Sequence, residues 1–282
     1  MSGTDQQSSS LISTRYSRLV FLGDSNADNG NVLRLTNGAH PAPSSVYWQG
    51  RYSNGKVWAD HLAELASPAS TINLAYGCAT IDNDIVSGTV PMPDGQRVEV
   101  PSVADQINDL ESLVGRLSLT DLVLIQVGSN DLNSLIDTGS LYRRKCAFTP
   151  SLLAERLAQA VEYICTQLDA RNVLVLNVRP REDYPGVIAL NDMLVLEQTR
   201  QDTALFNATI GNKIAALQAA LGADYNLSLF DTYSAQKEIA LVTDPFSGEL
   251  SSDPELFVDS CHLGSRAQMK LFKQIFASIT RI

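Results

Sequence analysis

Two short runs constrain this chain more than anything else in it. Leu19-Val20-Phe21-Leu22 and Leu122-Val123-Leu124-Ile125 are apolar at every position. A strand with one wet face alternates apolar and polar residues. A run that is apolar throughout suits a strand covered on both faces, as in the centre of a parallel sheet. Each run gives way to a glycine and then polar residues: Gly23-Asp24-Ser25-Asn26 in one case, Gly128-Ser129-Asn130-Asp131 in the other. In open α/β sheets, ligand crevices lie at the carboxyl ends of the strands. The first run therefore presents a serine hydroxyl at such an end, and the second an amide. Taken alone, Gly-Asp-Ser is equally an ordinary turn in which Asp or Ser caps the next helix.

The rest of the chain supplies partners at βα spacing. Residues 55–66 carry Val57, Trp58, Leu62 and Leu65 as a helical stripe ended by Pro68. Thr71 to Ala75 predicts a second strand leading to Gly77. Asp82 to Pro101 predicts a hairpin turning at Pro93-Asp94-Gly95 beside the crevice. Ser102 caps a helix to Arg116, and Asp121 to Val127 is the central strand. Pro150 to Ala170 is helical, Asn172 to Val178 a strand, Ile188 to Leu221 one long helical region, and Leu227 to Asp231 the last strand. Val242 to Val258 is loop, followed by a helix over Ser265 to Ile279. The expected fold is a three-layer α/β/α domain of flavodoxin-like type with about five parallel strands.

Composition narrows the partners. A net charge of −10 offers no basic stripe to release counterions from a nucleic acid, and it disfavours an anionic membrane surface. No apolar run approaches the roughly 20 residues that span a bilayer. Residues 1–15 are polar and Ser-rich and are expected to be a disordered lead rather than a signal peptide, with residues 16–282 as one domain. Cys78, Cys146, Cys165 and Cys261 lack metal-ligand spacing and are expected to be free thiols in a reducing, cytoplasmic setting, with secretion the alternative if an export signal has been trimmed away. The sequons at Asn207 and Asn226 carry no weight without secretion. There is no His-Glu-x-x-His, no Cys-x-x-Cys and no phosphate-cradling glycine loop, so no metal or cofactor is expected. Gly-x-Ser-x-Gly, the nucleophile elbow of α/β-hydrolases, is also absent.

Three further segments recast the first run: Asn73-Leu74-Ala75-Tyr76-Gly77, Val127-Gly128-Ser129-Asn130-Asp131 and Asp259-Ser260-Cys261-His262. The order Gly-Asp-Ser, Gly, Gly-x-Asn-Asp, Asp-x-x-His resembles the GDSL or SGNH family of serine hydrolases. Ser25, Gly77, Asn130 and His262 fall on the family's four naming residues, and the resemblance runs from about Leu19 to Gln268. Residues 50–58 also look like the segment after the nucleophile block in the lipase and esterase branch. Asn26 departs from the pattern, standing where the motif has Leu.

The chemistry fits that resemblance. A serine hydroxyl needs a base within hydrogen-bond reach. Of the three histidines, His61 falls among Asp60 and Glu64 on a polar helix face, and His40 lies in a loop with nothing to orient it. His262 has a carboxylate at i−3: in a turn, Asp259 can reach Nδ1 and leave Nε2 for Ser25. The Ser25 backbone N–H is one oxyanion donor, and the resemblance implies Gly77 and Asn130 as the others. The reading is a carboxylic-ester hydrolase acting on a small-molecule ester. The same residues would equally serve a thioesterase, an acyltransferase or a lactone-forming enzyme, or survive in a silent binding protein. Tyr47, Trp48, Tyr52, Val90, Met92, Phe246 and Phe257 are expected to supply the apolar wall. Oligomeric state has no signal.

Overall fold

A computed structural model describes residues 15–42, 46–66, 70–136, 141–243 and 250–281. The strands are β1 (Arg18–Gly23), β2 (Ser70–Asn73), β3 (Val86–Pro91), β4 (Arg97–Glu99), β5 (Asp121–Gln126), β6 (Tyr142–Arg144), β7 (Asn172–Leu176), β8 (Asn226–Phe230), β9 (Leu241–Thr243) and β10 (Leu250–Ser252). The longer helices are α1 (Trp58–Leu65), α2 (Val103–Val114), α3 (Pro150–Gln167), α4 (Met193–Leu221), α5 (Thr232–Ile239) and α6 (Ser265–Arg281). Five strands form one parallel sheet in the order β2-β1-β5-β7-β8. The apolar runs are its centre, with Phe21 paired to Leu124.

Alternation along each strand divides the core in two. Val20, Leu22, Val123, Ile125, Val173 and Val175 face α2, α3 and α4, meeting Ile107, Leu157, Val161 and Phe206. Leu19, Phe21, Leu122, Leu124, Leu174 and Leu176 face α1, α5 and α6, meeting Trp58, Leu62, Leu271 and Ile275. Helices cover both faces, so the three-layer α/β/α arrangement holds. Ala267, Leu271, Ile275 and Ile279 recur every fourth residue on α6 and are all buried. Burying a Leu or Ile side chain contributes about 1.5–3 kcal/mol, which fixes the helix that follows the His262 loop.

Three departures from expectation have local causes. The region from Ile188 to Leu221 is not continuous: a short helix, Pro185–Ile188, ends before Asn191, which takes a φ of 52°. Asp192 then caps α4, accepting from Leu194 N at 2.9 Å and Val195 N at 3.3 Å. Helix α5 follows β8 directly, with Asp231 as its cap. The expected hairpin is present as β3 and β4, but β6 joins its other edge. Residues 1–14, the bulk of the expected lead, lie outside the described residues. So does Phe246, between β9 and β10, which pair antiparallel where a loop was expected. No helix among the described residues is long and apolar enough to cross a membrane.

Candidate active site

The nucleophile candidate is held by the geometry of β1's end. Gly23 has a φ of 137°, and a Cβ there would run into the Gln126 carbonyl of β5. Only glycine fits that approach. Gln106 of α2 clamps the same residue, its Oε1 accepting from Gly23 N at 2.7 Å and its Nε2 donating to Gly23 O at 2.9 Å. Beyond it, buried Asp24 accepts from the Asn26 backbone at 3.0 Å and the Asn26 side chain at 2.7 Å. Asn26, the departure from the motif, thus braces the turn that carries Ser25. Asp28 accepts four backbone N–H groups, from Gly30, Asn31, Val32 and Gly77. Burial still pushes its carboxyl up to about 6.

At the opposite side of the crevice, the loop before α6 brings in His262, the candidate base. His262 Nε2 lies 2.9 Å from Ser25 Oγ, and Nδ1 lies 2.7 Å from Asp259 Oδ2. Asp259 Oδ1 accepts from the backbone of Cys261 at 2.8 Å and of His262 at 2.7 Å, so the loop is built around this carboxylate. Burial would raise Asp259, but hydrogen bonds from His262 and Tyr47 outweigh it and hold the carboxyl well below the usual carboxylate range. Burial likewise works to lower His262, and Cys261 and Asp259 together carry it above its ordinary value. Arg179 ties the loop down, donating to Cys261 O at 3.0 Å and Gln236 Oε1 at 2.8 Å. Asp259, Cys261 and His262 could each offer one metal ligand atom, all within 4.8 Å of one another.

Asn130 stands in the first turn of a short helix, Ser129–Asn133, after β5. Its Nδ2 donates to Ala79 O at 2.8 Å, and its Oδ1 accepts from Tyr142 at 2.6 Å. That fixes the amide's orientation and leaves a second N–H for the crevice. Gly77 departs from expectation. Its N–H already donates to Asp28 Oδ2 at 2.8 Å, and it does not line the crevice. Its glycine is needed for packing, because a Cβ there would enter the Tyr52 ring. The next residue, Cys78, does line the crevice, with a left-handed φ of 66°. The backbone N–H groups of Cys78 and Ser25 have no hydrogen-bond partner among the described residues.

The crevice has a volume of about 220 Å³ and is lined by Ser25, Tyr47, Tyr52, Asn130, Tyr142, Arg179, Tyr184 and the 259–262 loop, among others. Trp48 instead lies under Arg51, its ring 5.3 Å from the guanidinium, and Val90 is buried in the same apolar cluster as Tyr52. Met92 and Phe257 are not among the lining residues; Phe257 packs on Tyr184, ring centroids 6.1 Å apart. His40 reaches the crevice, and burial lowers its pKa. His61 is half-buried against Phe272. Both sequons are in regular structure, and the Asn207 amide bonds both backbone groups of Val178. The four cysteines are unpaired, two of them in the crevice. Tyr47 and Tyr52 are lining residues, as expected of the wall. Sequence reasoning missed the bond from Tyr47 to Asp259, and missed Tyr142, Cys78 and Arg179 as site neighbours, since each arrives from a separate segment.

A hydroxyl bonded to an imidazole whose other nitrogen is held by a carboxylate can be activated as a nucleophile. Comparison with known proteins gives the family. The profile of the GDSL-like lipase/acylhydrolase family matches residues 19–275, and the chain belongs to that family. It is 34% identical over 249 residues to the thermolabile hemolysin of Vibrio parahaemolyticus, covering 87% of this chain and 52% of that protein. The chain thus spans about half the length of that relative. It is 24% identical over 237 residues to a GDSL esterase/lipase of Arabidopsis thaliana, covering 75% of this chain and 64% of that one. A crystal structure of a lipolytic G-D-S-L family member from Veillonella parvula superposes with a TM-score of 0.52 at 12% identity, over 94% of this chain and 99% of that one. At that identity the likeness is one of fold.

Proposed function

We propose that the chain is a serine-dependent carboxylic-ester hydrolase working through an acyl-serine intermediate. The observation that carries this is the continuous relay from Ser25 Oγ through His262 to Asp259, at 2.9 and 2.7 Å. Ser25 Oγ attacks the ester carbonyl while His262 Nε2 takes its proton. Asp259 keeps the remaining proton on Nδ1 and stabilises the imidazolium. The oxyanion is met by the Ser25 N–H, by the free N–H of Asn130 and, in place of Gly77, by the N–H of Cys78. The tetrahedral intermediate collapses, the C–O bond to the alcohol breaks, and His262 returns the proton to the leaving oxygen. Water then attacks the acyl-serine by the same route, releasing acid and regenerating Ser25.

The crevice volume lies below the roughly 300–1,000 Å³ of drug-sized sites, which favours a short acyl group. Arg179 is the one Lys or Arg among the described lining residues, and it is engaged with Cys261 and Gln236. A carrier's phosphate finds no basic cluster there, which supports water over a bulky acceptor. Short aryl esters should be hydrolysed, and in H₂¹⁸O the label should enter the acid. Indifference to simple esters, with unlabelled transfer or lactone product from a carrier-bound chain, would establish the acyl-transfer alternative instead.

A further inference from the structure

Asp259 accepts more donors than a triad needs. Its Oδ1 takes two backbone N–H groups, and its Oδ2 takes both His262 Nδ1 at 2.7 Å and the Tyr47 hydroxyl. The Tyr47 oxygen is also 3.5 Å from Nδ1 itself. The Tyr47 ring stands edge-on to the imidazole, with centroids 5.8 Å apart at 88°. Its other neighbour, Tyr52, lies 5.2 Å from both Tyr47 and His262. Tyr47 and Asp259 are 212 positions apart, so no local turn forces them together.

We propose that Tyr47 is a positioning residue that sets the orientation and basicity of His262 by acting on Asp259. The proposal rests on the catalytic reading above and adds one residue to it. A phenol donating to Oδ2 fixes the plane of the carboxylate and draws off part of its charge. A carboxylate so stabilised supports the imidazolium less strongly, so the base stays less basic than a bare Asp–His pair would make it. Burial, and then the hydrogen bond to Asp259, push ionisation of Tyr47 well above its ordinary range, so it remains a donor at every working pH. The other charged or titratable groups around His262 are Cys261, Asp24 and Tyr52, with Cys78 and Arg179 one step further out. Tyr47→Phe leaves each of these side chains in place.

Tyr47→Phe keeps the ring and its edge contact and removes the donor alone. With a short aryl ester as substrate, kcat should fall roughly three- to tenfold while KM stays within about twofold. The acid limb of the kcat profile should move to higher pH by about half a unit. A residue that merely fills the wall would leave that limb in place. Because Tyr47 acts through Asp259, adding Tyr47→Phe to Asp259→Asn should lower kcat no further than Asp259→Asn alone. An acid limb that stays put or moves down in Tyr47→Phe, or full additivity in the double variant, overturns the proposal. Failure of the triad reading looks different: Asp259→Asn would then itself leave both the rate and the acid limb unchanged.

Discussion

Replacing Asn130 with Ala tests the oxyanion assignment through a side chain with two partners among the described residues. The amide is held at both ends, by Tyr142 on Oδ1 at 2.6 Å and by Ala79 O on Nδ2 at 2.8 Å. That leaves one N–H whose bond to the substrate oxygen strengthens as the oxygen becomes anionic. Removing such a donor lowers kcat by about 10²–10³, or roughly 2.7–4 kcal/mol of transition-state stabilisation. KM should change little, because the interaction is weak in the ground state. Truncation also takes the Asn130 amide from the Tyr142 hydroxyl and the Ala79 carbonyl, and a buried group left unpaired costs about 1–3 kcal/mol of stability. Urea unfolding of the variant therefore belongs beside ester kinetics at 25 °C. Tyr142→Phe is the companion: it releases Oδ1 but keeps the amide, so its loss in kcat should be much smaller. An Asn130→Ala enzyme with unchanged kcat and a raised KM would refute the assignment and leave Asn130 as a binding or turn-bracing residue.

Other outcomes follow from the same geometry. His262→Ala should be as damaging as Ser25→Ala in ester hydrolysis, whereas Asp259→Asn should retain roughly one to two decades more activity, and His40→Ala should stay active. His262 must be neutral to accept the Ser25 proton, and its pKa is raised above 6.5, so kcat should rise with pH through that elevated value and vanish as pH falls below it. The stability contributed by protonated His262 runs the other way, present in full below pH 6.5 and lost as pH climbs through the raised value, which pH-dependent unfolding would record. Gly77→Ala forces a Cβ into the Tyr52 ring beside His262 and should cost about 1–3 kcal/mol of stability along with activity. Cys78→Ala removes only the thiol and should keep most of the activity, since only the backbone N–H is used; a loss as deep as that of Asn130→Ala would count against this.

What could be read from sequence tracks how local the cause is. Leu19 to Leu22 and Leu122 to Ile125 were legible as buried strands because burial on both faces admits no polar residue. Gly23 was legible as a strand terminus, although its necessity comes from the approach of Gln126 on a neighbouring strand. The Asp259–His262 spacing was legible because three residues of turn suffice to close it. That the Gly77 N–H is already engaged was not legible, because it depends on a contact with Asp28, 49 positions away. Tyr47 and Tyr142 reach the site by tertiary contact, and β6 is only three residues long. The break before α4 was written as Asn191-Asp192, and the start of α5 as Asp231 and Ser234.

The most direct measurement is covalent labelling of the native protein with a fluorophosphonate, read by intact mass and peptide mapping. The account predicts one adduct per chain, on Ser25, formed rapidly in the wild type and slowed drastically by His262→Ala. Stoichiometric labelling of another serine, or a folded protein that takes no label at all, would contradict it.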